Sequence, residues 1–508
     1  MEVKQQFKEK IVFIISAIII LSIVVWGAVT PENMTAVTQT IMDQMIEQFG
    51  WFYVISTGIF LGFCLFLGFG PYRHMKLGHK NDKPEYSFFT WLGMLFAAGM
   101  GVGLVFWGVG EPLSHFHSPT GGIEAETQAA AEQSLIYSMF HWGLHPWSIY
   151  AIVALGLAFA KFRKNLPGLV SSAFFPLIGD GIYRWPGKAI DVVVIVATTI
   201  GIATSLGMST LQVGSGLSQV FAIEPDNLVY LIILSVVTVI FLISVLSGLN
   251  KGMRYLSISN LWLAGALLVI GLALGPTVYI MEHITLTFGQ YFTQLPQMSF
   301  MTTPYSENDW MGEWTLFYWA WVISWSPFVG TFIARVSKGR SLRDFIFGVL
   351  FVPALLTLVW VVTFGGSGIY SDMNEGTTIA EQTAAEPEAG FFLVLEQLPG
   401  SMIFSIGALI LISIFFITSA NSATYVLGVF SSSGNLNPKG RVLLIWGLLI
   451  SSIATVLLLS GGLEGMQAVA TVTAFPFTFI MLAMLFAIYR SLRIEGYTTH
   501  KVEKKEDW

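Results

Sequence analysis

The sequence predicts an all-α, polytopic membrane protein of twelve transmembrane helices, and three observations predict it. The first is composition: 54% of the 508 residues are hydrophobic and only 11% are charged, with a strongly positive mean hydropathy. That leaves too little polar surface to cover a water-soluble globule. The second is the length of the apolar runs, which reach about twenty residues, enough to cross the hydrocarbon core. They are too long and too uniformly apolar for the alternating strands of a closed barrel. The third is charge: all 25 Lys and Arg fall on one side of the predicted spans. The opposite loops, including "PENMTAVTQTIMDQMIEQFG" and "SDMNEGTTIAEQTAAEPEAG", contain none. By the positive-inside rule both termini are cytoplasmic, which agrees with an even number of helices.

In chain order the spans are 11–29, 51–70, 88–110, 135–160, 189–222, 228–247, 257–280, 314–335, 345–365, 403–429, 441–460 and 468–490. The N-terminal "MEVKQQFKEK" is short and basic, and the run behind it is a full span with no A-x-A cleavage pattern, so it reads as a first transmembrane helix rather than a cleaved signal. Cys64 is the single cysteine and lies in an apolar run, which excludes an intrachain disulfide and a cysteine-based metal site. The tail "HKVEKKEDW" has mixed charge and reads as a solvated end, with contact to anionic lipid the alternative.

Charged residues are missing from the span centres, which argues against a voltage sensor or a carboxylate proton relay. The unusual centres are rich instead in glycine, tryptophan and hydroxyls. Helix three carries "AAGMGVGLVFWGVGEPL", with Gly99, Gly101 and Gly103 at its middle. Alternate glycines each cost about 1 kcal/mol relative to alanine in a helix and cannot line one face, so they predict backbone that leaves the helix. Such a break frees N–H groups for an anion and carbonyl oxygens for a hard cation. Close packing of another helix on the glycines is the alternative. Helix ten carries "FFITSANSATYVLG"; hydroxyls there commonly bond back to the i−4 carbonyl, yet adjacent Thr418 and Ser419 lie at the estimated depth of the glycines and could complete an oxygen cage for sodium.

Helix four contains "FHWGLHPWSIY", in which Pro146 interrupts the helix and Trp142, Trp147 and Tyr150 flank it near mid-bilayer. Aromatics that anchor a span collect at the interfaces, so a midplane group is out of place for anchoring. His141 and His145 are spaced i, i+4, but no carboxylate accompanies them in this reading, which disfavours a metal site. In helix eight, "YWAWVISWSP", Trp321 and Trp325 share one face with Phe317, Phe328 and Phe332, while Trp319 points elsewhere. Two aromatic helices at one depth can enclose a small volume.

Together, "GMGVG" with "EPL", "HWGLHPWSIYA", "WTLFYWAWVISWSPFVGTFIARVSKGRS" and "ITSANSATYVLG" resemble the betaine/choline/carnitine transporter family over essentially the whole chain. The resemblance implies a cytoplasmic N-terminus over 1–10 and two extra helices within 11–87. A first five-helix repeat over 88–281 and a second, inverted repeat over 314–490 would follow, in a LeuT-like arrangement. An extracellular segment with an amphipathic helix over 282–313 would separate them, and a cytoplasmic tail over 491–508 would end the chain. It also implies a homotrimer in the bacterial inner membrane, in contact with its lipids, that is not an enzyme, has no cofactor beyond Na⁺ as coupling ion and binds no nucleic acid. Residue by residue, the family's substrate site falls on Trp142, Trp147, Tyr150, Trp321 and Trp325, with Gly99, Met100 and Gly101 receiving the substrate carboxylate. One sodium falls on Ala97 and Met100 backbone oxygens, the Phe415 carbonyl, Thr418 and Ser419. A second falls on Thr198 and Phe328, but Ile202 stands where a further threonine is expected, with Thr199 or Thr204 as substitutes. Betaine carriers of the family often read "WAWWISW"; here Val322 replaces a box tryptophan and becomes the candidate for specificity. Asn421 replaces the acid of "TSADSA".

These features imply sodium-coupled uptake of a quaternary ammonium or related compatible solute, glycine betaine first, as an osmoprotectant. Proton-coupled choline uptake, carnitine exchange, or uptake of ectoine or a sulfonium solute are the alternatives. No Walker-type "GxxxxGK[ST]" occurs, so an ion gradient is the remaining energy source. A channel would need a continuous polar path, and an intramembrane enzyme a catalytic constellation, and neither is visible in the spans. The short tail implies modest osmotic sensing or none.

Overall fold

The computed structural model describes residues 2–99, 101–248, 250–302 and 310–506; most of these are helical, and among them is a single isolated antiparallel bridge between Lys76 and Ser341. The first two helices, α1 (Glu2–Val29) and α2 (Pro31–Phe69), meet at Thr30. Pro31 takes the first position of α2, where a missing N–H costs nothing. Helix α2 begins well before the expected 51–70 span: the polar "PENMTAVTQTIMDQMIEQFG", read from sequence as a loop, is helical because nothing in it breaks a helix.

The expected third span is split into α3 (Phe88–Gly99) and α4 (Val102–His117), and the fourth into α5 (Gln128–Trp142) and α6 (Leu144–Ala158). A π-helical turn, Phe159–Arg163, and the short α7 (Phe175–Ile178) lead to α8 (Trp185–Phe221), followed by α9 (Asn227–Ser247) and α10 (Asn250–Leu274). Helix α11 (Thr277–Ser299) overlaps the segment 282–313, beginning before it; residues 303–309 of that segment lie outside those described. A π-helical turn, Gly312–Leu316, opens α12 (Phe317–Val336), and α13 (Leu342–Glu375) follows. Two short helices, α14 (Ile379–Ala385) and α15 (Gly390–Glu396), precede α16 (Ser401–Ser431) and α17 (Gly440–Glu506), which is kinked at Gly462. Among the described residues, ten helical segments are individually long and apolar enough to cross a bilayer. The third expected span is outside that set because it is broken, and the last two run together through the α17 kink.

The core runs along α4, α6, α8 and α12, whose side chains are largely buried, while α9 and α10 expose large apolar residues such as Ile232, Ile243, Trp262 and Val269. Water would not tolerate that surface; hydrocarbon would. The basic loops converge on one face. Loop 73–78 pairs with 339–343 through Leu77 N to Arg340 O (2.8 Å), Gly339 N to Leu77 O (2.6 Å) and Leu342 N to Met75 O (2.8 Å). Arg163 donates to the carbonyls of Lys76 and Gly78 at 2.9 Å each and pairs with Glu495 beyond the last span. Four basic segments spread along the chain are thus one surface, as the charge pattern requires.

Candidate functional site

Two helix breaks and one aromatic helix meet at a cavity of about 50 Å³. On a measure in which one water needs about 10–15 Å³, this is room for a few waters. Its walls include Trp142, Trp147 and Tyr150 from α5 and α6, Trp321, Val322 and Trp325 from α12, and Gly101 and Gly103 from the start of α4. The sequence reading named all of these except Gly103 among the site residues, and Gly103 within the glycine break. Leu104, Val329 and Thr357 also line it and carried no signal, being ordinary residues of apolar spans.

The rings are set edge to face. Trp142 and Trp321 lie 5.9 Å apart at 81°, Trp147 and Tyr150 5.6 Å at 83°, and Trp321 and Trp325 6.4 Å at 69°. Their in-plane N–H groups are used elsewhere: Trp321 Nε1 donates to Ser205 Oγ at 3.1 Å and Trp325 Nε1 to Gly201 O at 2.9 Å, both on α8. The indoles are held by their edges, which leaves faces for a ligand. Phe317 stacks on Trp321 at 5.8 Å and 8° behind this wall. Phe332, expected on the same face, is 37% exposed and points away. Trp319, expected to point elsewhere, stacks on His145 at 5.3 Å and meets Phe140 edge to face, so it packs α12 against α5 and α6.

The glycine break is present. Helix α3 ends at Gly99 and α4 starts after Gly101, whose backbone is extended (φ −127°, ψ −179°). Ala97 sits in the last turn of α3, where carbonyls lack intrahelical partners, and α4 starts without a side-chain cap, with Gly101 and Gly103 lining the cavity. Met100 lies outside the described residues. An alanine Cβ at Gly103 would stand 2.3 Å from Trp321 Cη2 and 3.1 Å from Trp142 Cη2, so only glycine lets both indoles close over α4. The second break differs from the sequence reading. It falls at Gly143, not Pro146, which sits in the first turn of α6 where its missing N–H is harmless. Tyr291 of α11 accepts the freed Leu144 N–H at 3.0 Å.

Of the oxygens expected to hold one sodium, Thr418 Oγ1 lies 3.2 Å from Phe415 O and also bonds back to Ile414 O at 2.9 Å. Ser419 follows, half-buried. For the second, the contacts of Ser205 with Trp321 and of Gly201 with Trp325 set an antiparallel register of α8 on α12 that puts Thr198 level with Phe328. Thr198 Oγ1 is buried with no hydrogen-bond partner. Ile202 is buried one turn on. Neither proposed substitute is free: Thr199 donates to Ile195 O at 2.7 Å and Thr204 to Met466 O at 3.3 Å.

The family model described as betaine/carnitine/choline family transporter matches residues 11–497. The chain belongs to that family. It is 46% identical over 497 residues to the glycine betaine transporter OpuD of Bacillus subtilis, covering 97% of this chain and 96% of that one. It is 43% identical to an ectoine/hydroxyectoine transporter of Virgibacillus pantothenticus (95% and 96% covered) and 38% identical to a glycine betaine transporter of Acinetobacter baylyi (97% and 74%). This member of the family is therefore a multi-pass membrane transporter and not an enzyme.

Within this transporter the structure also holds a polar cluster that the sequence reading missed. Helix α4 runs on past the expected end of its span at 110 and buries Glu111 completely. Its carboxylate meets His141 Nδ1 at 2.5 Å, His115 Nε2 at 3.2 Å and Trp142 Nε1 at 3.1 Å. A carboxylate does accompany His141, and its second histidine is His115, not His145. The spacing His115, Glu111 at i, i+4 on one helix was the available signal.

Proposed function

We propose that this transporter takes up glycine betaine, or a closely related compatible solute, by coupling its entry to sodium. The observation that carries the reading is the cavity walled by four tryptophans and Tyr150 at the broken start of α4. A trimethylammonium head donates no strong hydrogen bond, so it is best held by aromatic faces, each worth about 0.5–2 kcal/mol and more when water is excluded. The carboxylate of the same zwitterion suits the N–H groups at the start of α4. Relatives named for glycine betaine support this substrate, and the ectoine relative supports a second reading in which the Val322 gap admits a bulkier ring.

Sodium is favoured over a proton as coupling ion by the Phe415, Thr418 and Ser419 oxygens and the orphaned Thr198 hydroxyl. One sodium moving inward across 100 mV releases about 2.3 kcal/mol, enough for roughly fiftyfold accumulation before any concentration gradient is added. The charge pattern supports the bacterial inner membrane with both termini inside; two inverted repeats and a homotrimer complete the proposal. Uptake of labelled betaine, ectoine, choline and carnitine into proteoliposomes, under a sodium gradient, a proton gradient or neither, tests it. Betaine uptake driven by sodium alone is expected, and uptake indifferent to sodium overturns the coupling.

A further inference from the structure

We propose that Glu111 is a positioning residue for substrate: it fixes the Trp142 indole by its N–H and places a negative charge behind that ring, so that the cavity discriminates for positive charge. The inference rests on the quaternary-ammonium reading of the cavity. Trp142 gives its N–H to an acid, whereas Trp321 and Trp325 spend theirs on a hydroxyl and a carbonyl.

The protons of the cluster can be placed from its partners. The indole N–H of Trp310 lies 3.3 Å from His115 Nδ1 and can only donate, so Nδ1 accepts and the His115 proton is on Nε2, facing Glu111. With the Thr315 hydroxyl donating to His141 Nε2 at 2.9 Å, the His141 proton is assigned to Nδ1, again facing Glu111. Three N–H donors thus converge on one carboxylate and both imidazoles are neutral. Glu111 Oε1 and the two imidazole nitrogens that face it lie within 4.8 Å of one another, as in a metal site, but both nitrogens carry hydrogen toward the carboxylate, so the arrangement is a completed hydrogen-bond network. No Lys or Arg occurs in α4, α5 or residues 310–318, so nothing on these segments neutralises it.

An indole that donates its N–H to an anion carries more electron density on its faces, and those faces are what a cation meets. The anion also acts directly through a poorly screening interior. Helix α4 then serves both ends of a zwitterion: its first turn offers N–H groups, and farther along Glu111 backs the aromatic wall.

The test is binding to purified full-length protein of glycine betaine and of 3,3-dimethylbutanoate, its carbon isostere without the positive charge. E111Q is expected to raise the betaine Kd about tenfold while leaving the isostere's Kd unchanged or lower. A cavity merely collapsed by the substitution would lose both ligands equally, and that result, or an unchanged betaine Kd, overturns the inference. W142F keeps a ring but ends the bond to Glu111, and carries the same test if E111Q does not fold: it should lower the preference for betaine over the isostere. An unchanged preference in W142F overturns the inference, as does a stoichiometric metal ion in the wild type that E111Q lacks. A wild type that binds neither ligand overturns the functional reading itself.

Discussion

The indole N–H of Trp325 donates to the carbonyl oxygen of Gly201 at 2.9 Å, tying a wall of the cavity to the middle of α8. The contact exists because Gly201 has no side chain: a Cβ there would stand 2.7 Å from Ser324 Cβ. Residues of α8 and α12 that are far apart in sequence thereby fix the orientation of one aromatic face. The same bond puts the orphaned Thr198 hydroxyl and the cavity on opposite ends of one short stretch of α8.

Trp325→Leu removes both the aromatic face and this bond, whereas Trp325→Phe keeps a face. Loss of one desolvated cation–π contact, about 2 kcal/mol, should raise the betaine Kd roughly thirtyfold in the leucine variant. The phenylalanine variant should fall between leucine and wild type. Equilibrium binding of labelled betaine to detergent-purified protein measures this, and equal Kd values in all three proteins would remove Trp325 from the site.

Gly103→Ala drives a methyl into Trp321 and Trp142, at 2.3 and 3.1 Å from their ring tips. Overpacking of this kind costs about 1–3 kcal/mol. Here it acts on two cavity walls at once, so betaine affinity is expected to fall by at least tenfold while the thermal midpoint drops by a few degrees. Thermal unfolding and binding on the same preparation check both; full affinity in a destabilised protein would mean that the indoles move aside.

The aromatic residues and the glycine break were legible in sequence because they violate expectation for a lipid-facing helix: midplane tryptophans anchor nothing, and alternate glycines weaken a helix. The helix spans were legible from length and hydropathy alone. Three things were not. The break in the fourth span was assigned to Pro146, yet proline is harmless in a first turn, and Gly143 needed Tyr291 of a distant helix to reveal it. Glu111 lies just past the expected span end because hydropathy falls there; His115 is local to its helix, but only the tertiary structure supplies His141 and the Trp142 indole. The status of Thr199 and Thr204 depended on which carbonyls their hydroxyls reach, Ile195 and Met466, and the second lies across the fold.

Val322 is 3% exposed and lines the cavity between the two α12 tryptophans. Val322→Trp fills the gap with a third indole, so bulkier solutes should be excluded before smaller ones. Competition against labelled betaine should show ectoine losing at least tenfold in potency while betaine changes less than threefold, since one extra contact in a pocket shifts discrimination by about 1–3 kcal/mol. A parallel loss for both ligands would show that Val322 sets cavity volume without setting preference.

Thr418→Ala with Ser419→Ala tests the proposed ion site on α16. Thr418 gives its hydroxyl hydrogen to backbone carbonyls at Ile414 and Phe415, the usual back-bond of a hydroxyl in a helix. A bound sodium would turn the oxygen lone pairs toward itself and share the Phe415 carbonyl. Removing two neutral oxygen ligands from a cation, with about 1.5–3 kcal/mol for each interaction with a charged group, should raise the sodium concentration for half-maximal uptake by more than tenfold. Maximal rate at saturating sodium should fall less. Thr199→Ala is the matched control: its hydroxyl is likewise bonded to an i−4 carbonyl, and it should leave sodium dependence unchanged. Measured sodium dependence that is the same in the double variant and the control would place the coupling ion away from α16, with Thr198 on α8 the next oxygen to remove.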